Sequence, residues 1–393
     1  MKGSVLRGIL VLYLFLLLFP GEYVPLATGL DPSWRIGINL LAGSGHSVGD
    51  DYVFTYGPLG YLLYPLPLGN NLAASIFFDL ILALLVCFLG YLVLRRCSAL
   101  EALLFVSFYA ASIAIHLWEE YNLLFLAALL LAATETESRH ERLLLIGYGV
   151  LASFALFLKI SIGLTCLLML VGFALGSGQR NRFVRRIAFA GLSFGVSFAV
   201  LSLVFLESAS GLLWWLKGSV LLSRGYGSAM SVIGPSEVLV LGLIALGVFT
   251  RALERLARTR LDLAVALGIA AVLAFKHGFA RQDRHVLGFF PFLIALSALL
   301  VPFSISRKGR AATILAFLVL FIAALPTVRY YTHIGPRQVL ATLSTASGLE
   351  RVGSLLRLPE KRRELEQRSE RRLTSDLLPD GYLQTLRGGG GVA

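Results

Sequence analysis

Of the 393 residues, 57% are hydrophobic and only 15% charged, and the mean hydropathy is +0.78; a soluble domain carries about 25% charge, so a soluble globular protein is excluded. The net charge of +12 lies in short segments between oily runs, with no helix-turn-helix, RNP-type or zinc-finger pattern. It therefore reads as membrane orientation, with no nucleic-acid partner. Cys87, Cys97 and Cys166 all lie in or beside apolar runs and form no disulfide framework.

A membrane span needs about 20 apolar residues. Candidates follow one another near 8–27, 72–94, 98–117, 121–134, 143–158, 160–176, 187–207, 237–250, 261–279, 286–303 and 311–328. The expected fold is an all-α polytopic membrane protein of about eleven transmembrane helices. The first run lacks a cleavage site and reads as a retained helix. The stretch 143–176 is too long for one span, since a single helix would reach about 51 Å, so the chain is expected to turn at Lys159. With the N-terminus inside, the inner segments hold seventeen Lys and Arg and the outer loops seven. This positive-inside bias places 28–71, 208–236 and 276–285 outside. Residues 1–328 then form one transmembrane unit. Residues 329–393 form a short tail, helical through "RQVLATL" and "EKRRELEQRSERRL" and flexible at "GGGGVA".

The outer loops carry the polar chemistry. "LDPSWRIGINLL" has Asp31 where an N-cap belongs, Pro32 at the first helical position, and Trp34, Ile38 and Leu41 on one face. That suits a short interfacial helix in the first outer loop. Asp31 is either only its cap or a carboxylate at the membrane rim able to act as a general base. Next, "GDDYVFTYGPLGYLLYP" puts Asp50 and Asp51 before five aromatics, Tyr56 among them. This is either a solvated turn with an interface belt or a sugar platform of aromatic faces and hydroxyl-accepting carboxylates. Glu119 and Glu120 fall in the short outer turn "HLWEEYN", where acids are costly unless solvated or functional. Lys159 either snorkels to the interface or meets a phosphate as a compact point charge. Finally, "FKHGFARQDRH" crowds Lys276, His277, Arg281, Arg284 and His285 into one outer loop against the orienting bias. The cluster implies an anionic ligand, unless Asp283 simply pairs with an arginine. No P-loop, G-x-S-x-G, H-E-x-x-H or Cys/His metal spacing occurs. No cofactor is expected, and a divalent metal is left open.

Together these residues resemble the GT-C superfamily of integral-membrane glycosyltransferases, especially its protein O-mannosyltransferase and aminoarabinose-transferase-like members. The likeness covers 8–328 by layout. It implies a catalytic acid at Asp31, further acids at Glu119 and Glu120, and a lipid-phosphate contact at Lys159. It also implies a polyprenyl-phosphate sugar donor, a lipid, glycan or protein acceptor, and inversion at the anomeric centre. Trp34, Asp50, Asp51, Tyr56, Lys276, Arg281, Arg284 and His285 complete the expected substrate-binding set. The expected place is the inner membrane of a cell envelope, with the site on the outer side. The "DP" at Asp31 departs from the paired acid of many members. The alternatives are a lipid-linked saccharide transporter or flippase, an O-antigen ligase-like enzyme, and a non-catalytic lipid-binding relative.

Overall fold

Sixteen α-helices run through residues 2–375, which the computed structural model describes apart from residues 22, 305, 306 and 333; no strand occurs among the described residues. The run "GGGGVA" lies outside them. The first helix, α1 (Lys2–Leu18), ends well short of the expected Ala27. Pro20 and Pro25 explain the difference, because each lacks an N–H and disfavours the helical region for the residue before it. Residues 19–21 and 23–29 carry no helix, and α2 (Leu30–Leu41) is the expected short amphipathic helix.

Next come α3 (Asn71–Leu94), α4 (Ala99–Ala114), α5 (Glu119–Thr136), α6 (Glu141–Leu158), α7 (Ile160–Leu175) and α8 (Arg180–Phe205). The segment 208–236, read from sequence as a loop, holds a helix, α9 (Ala209–Ala229). Ser208 starts it, its hydroxyl accepting from the Gly211 N–H at 2.8 Å. The sequence continues through α10 (Ser236–Ala257), α11 (Leu261–Ala280), α12 (Val286–Leu300) and α13 (Arg307–Thr332). The last helices are α14 (Pro336–Leu343), α15 (Thr345–Leu356) and α16 (Leu358–Ser375).

Among the described residues seven helices, α3, α6, α8, α10, α11, α12 with the 3-10 turn that extends it to Phe303, and α13, are long and apolar enough to cross a membrane. Shorter apolar helices lie within α1 and at α4 and α7. The chain is a multi-pass α-helical membrane protein. Every residue of α12 is buried, as expected for a central helix that is apolar all round. In α8 only Arg186 and Ala190 are fully buried; one face, with Phe194 and Phe198, packs against α6 and the core, and the other is free to meet lipid.

At the expected turn, α6 and α7 are separated by Lys159 alone, in extended conformation (φ −156°, ψ 124°). Breaking a helix leaves backbone groups without partners, which a membrane does not supply. The loop after α2 supplies them. Gly57 N–H donates to the Leu158 carbonyl at 3.2 Å, Leu59 N–H to Phe157 at 3.1 Å, and Ile160 N–H to Thr55 at 3.1 Å. A Cβ on Gly57 would overlap the Phe157 carbonyl and the Trp215 ring, so only glycine permits this approach.

The tail is no loose appendage. Arg351 donates to the carbonyls of Leu16 at 2.8 Å and Leu17 at 3.1 Å, the groups left open where α1 stops. Tyr13 OH reaches the Leu343 carbonyl at 3.0 Å, and Leu26 N–H reaches Ser369 Oγ at 2.9 Å. Leu373 joins Leu26, Ile36, Leu66 and Leu68 in a small core. The tail thus closes over the end of the bundle where α2 and Lys159 lie.

The opposite end is held by charge. Arg186, only 1% exposed, donates to Asp262 and to the Phe173 carbonyl, each at 2.9 Å, and pairs with Glu135. Arg260 reaches the same Glu135 at 2.5 Å, and Arg185 reaches Glu141 at 2.6 Å. Arg186, counted from sequence among the orienting loop cations, is therefore an interior residue tying α5, α8 and α11 together.

Candidate functional site

The α4–α5 turn bends through His116 at φ 80°, a left-handed position that histidine tolerates better than bulkier residues. Three residues later α5 begins, sending Glu119 to the surface and Glu120 inward, 4% exposed. Glu120 receives Lys159 Nζ at 2.8 and 2.7 Å, Tyr56 OH at 2.7 Å and Tyr64 OH at 2.9 Å. Lys159 Nζ adds Tyr56 OH at 3.0 Å, so all three donors of its ammonium are engaged. A buried charge needs such saturation. Burial, then the charge of Glu120, holds the Tyr56 and Tyr64 hydroxyls well above the ordinary phenol range.

An aromatic layer links this pair to α2. Trp34 stacks on Tyr56 with centroids 4.8 Å apart and planes 17° apart, and meets Tyr64 edge-on at 5.1 Å. Phe54 completes the cluster, 5.5 Å from Tyr56 and 6.1 Å from Trp34. Trp34 Nε1 donates to Asp31 Oδ1 at 3.3 Å. Asp31 is not the N-cap: Gly29 holds that position, and Asp31 is an exposed acid in the first turn with no capping bond. The capping reading of Asp31 is thereby corrected, and Pro32 sits two residues past the helix start. Buried Asn39 anchors α2. Its amide donates to the Tyr64 carbonyl at 2.8 Å and its oxygen accepts from Leu66 N–H at 3.1 Å.

The remaining expected residues divide. Asp50 accepts from Ser208 Oγ at 2.8 Å and Asp51 from Ser47 N–H at 2.8 Å, so both serve the α9 junction and a local turn. Arg281 pairs with Asp283, which also accepts from the His285 N–H at 3.0 Å and faces its ring at 2.5 Å. Burial alone would raise the Asp283 carboxyl. The His285 bonds and the Arg281 charge outweigh it and leave the carboxyl below its usual range. The simple pairing named as the alternative for this cluster is what the fold contains. Lys276 and Arg284 are exposed. His285 meets Trp118 at 5.9 Å and His277 at 5.8 Å, and His277 Nδ1 lies 2.9 Å from Tyr121 OH, beside Glu120 in sequence. His285 therefore borders the Glu120 site. Among the described residues no group of three or more His, Cys, Asp or Glu is placed to hold a metal.

Sequence reasoning passed over Asp79, two turns into α3. The Tyr23 hydroxyl is buried without a hydrogen-bond partner among the described residues, and burial, then Asp79 and Glu119, push it up. The signal was present: one carboxyl in the otherwise apolar "SIFFDLILALL" marks a functional position by default. Tyr64 and Asn39 carried no comparable local signal. Fold and site define a multi-pass membrane protein with a saturated acid–lysine pair under an aromatic layer. No protein-family model, no curated protein and no solved structure matches the chain.

Proposed function

We propose that the chain is a membrane glycosyltransferase of the GT-C type, moving a sugar from a polyprenyl-phosphate donor to an acceptor hydroxyl. One observation carries the reading: Trp34 hydrogen-bonds Asp31 on one side and stacks on Tyr56, the partner of Glu120 and Lys159, on the other. An exposed carboxylate is thus held at the edge of an aromatic layer suited to a sugar ring, above a rigid buried ion pair. In this reading Asp31 is the base, Trp34 and Tyr56 face the sugar, and Glu120 and Lys159 act as positioning residues because their polar atoms are already matched. Glu119, Lys276, Arg284 and His285 form the rim.

The reading includes eleven spans: α1, α3 to α8 and α10 to α13. It puts the N-terminus inside and the Lys159 end, with residues 329–375, at the outer face of the inner membrane. Asp31→Asn tests it. Asparagine keeps the Trp34 contact but cannot take a proton, so transfer from a polyprenyl-phosphate sugar should fall about 10²–10⁴-fold with the fold intact. Parent-rate transfer would remove Asp31 from the mechanism. Asp79 favours a second reading, a lipid-linked saccharide transporter, since carriers place ionisable groups within spans. Movement of a labelled lipid-linked sugar across proteoliposomes, lost in Asp79→Asn and kept in Asp31→Asn, would select it.

A further inference from the structure

We propose that the cavity between residues 24–27, α2 and α16 is a site for a phosphoryl anion on an apolar stem, held by Arg35 and Arg372. The cavity measures about 150 Å³ and is walled by Val24, Leu26, Pro32 and Ile36, with the two arginines on its lining. That is room for about five waters. It is well below the ~300–1,000 Å³ of an ordinary ligand pocket, so it fits a headgroup and its first carbons, not a whole lipid-linked sugar.

Arg35 is built to wait for an anion. Its guanidinium lies 4.6 Å from the Tyr64 ring and 5.4 Å from the Trp34 ring, which hold it in place. Its Nε is buried without a hydrogen-bond partner, and it makes no ion pair among the described residues. Lys159 and Arg281, the phosphate ligands expected from sequence, are matched to Glu120 and Asp283. Arg372 arrives from the far end of the chain, fixed by its neighbour Leu373, 1% exposed, and by the Ser369 bond to Leu26. The tail is therefore part of the site. Two planar guanidiniums suit the oxygens of a phosphate, and the apolar wall suits a hydrocarbon. Pro32, on the lining, adjoins Asp31, so a phosphate bound here would stand within one helical turn of the proposed base. For the identity of the lipid, though not for anion binding, this inference rests on the transferase reading.

The full chain in detergent micelles is titrated with geranyl phosphate, inorganic phosphate and geraniol, following tryptophan fluorescence and heat. Geranyl phosphate should bind best, inorganic phosphate more weakly, and geraniol not saturably. Arg35→Gln and Arg372→Gln should each weaken geranyl phosphate about tenfold or more. Arg363→Gln, on the exposed face of α16, should not. Arg372 lies near the end of a surface helix, so its variant remains informative even where Arg35→Gln misfolds. Parent-like binding in Arg372→Gln, or equal binding of geraniol, overturns the site. Inorganic phosphate binding as tightly as geranyl phosphate overturns the apolar stem. Lost binding in the variants of a parent that transfers no sugar would sink the transferase reading and leave the site standing. Normal binding in both variants of an active parent would do the reverse.

Discussion

Replacing Lys159 by methionine is the sharpest test of the architecture around the site. Methionine keeps the stem and removes the ammonium, with its bonds of 2.8 and 2.7 Å to Glu120 and 3.0 Å to Tyr56. Glu120, 4% exposed, would keep only the two phenol donors for a charge that four contacts now share. Stripping one partner from a buried pair costs about 3–5 kcal/mol, far above the ~0–1 kcal/mol of a surface pair. The loss is local in origin, because the Gly57 and Leu59 bonds to the α6–α7 break use backbone only. Glu120→Gln together with Lys159→Met removes both charges and leaves an amide oxygen for the two phenols. Most of the loss should then return, giving a coupling energy of about 2–3 kcal/mol in a double-mutant cycle. Equilibrium unfolding in mixed micelles, followed by tryptophan fluorescence, reads all four proteins. A single variant within about 1 kcal/mol of the parent, or a double variant no better than the single, would refute the idea that this pair is a desolvated, mutually dependent unit.

Two further outcomes follow from the same geometry. Asn39→Leu leaves the Tyr64 carbonyl and the Leu66 N–H without their side-chain partner, at about 1–3 kcal/mol for each buried group. Hydrogen exchange should show α2 and residues 64–68 opening while α10 to α12 stay protected; uniform loss of protection would contradict an anchoring role. Tyr56 and Tyr64 have folded pKa values above the unfolded ~10. Above that pH the unfolded chain binds fewer protons than the native one, so their contribution is whole below about 10 and lost as the pH climbs toward the raised value. Phenolate absorbance, taken as the difference between the parent and a Tyr56→Phe, Tyr64→Phe variant, should show these two tyrosines ionising only on unfolding, and in Glu120→Gln they should ionise earlier.

Much of this architecture is legible residue by residue. A long apolar run states that its residues leave water, and the 143–176 run states by its length alone that it must break. The amphipathic spacing of 30–41 announces α2 in the same way. Such properties belong to consecutive residues, so no knowledge of neighbours is needed. The pairing of charges is different. Whether Lys159 meets a phosphate or Glu120, whether Arg281 is open or matched by Asp283, and whether Arg186 is a loop cation or the interior tie to Asp262 depends on which helix faces come together. Those partners stand 39, 2 and 76 residues apart. The first and last meet only when packing has removed the water that would otherwise solvate each charge alone. The same holds for Arg372, which reaches the α2 cavity because Arg351 and Ser369 bind groups that α1 and residue 26 leave open. Sequence determined which segments leave water. Tertiary structure decided which charges are paired with one another and which are brought to the wall of a cavity, because desolvation is a property of the assembled neighbours and not of the chain's local order.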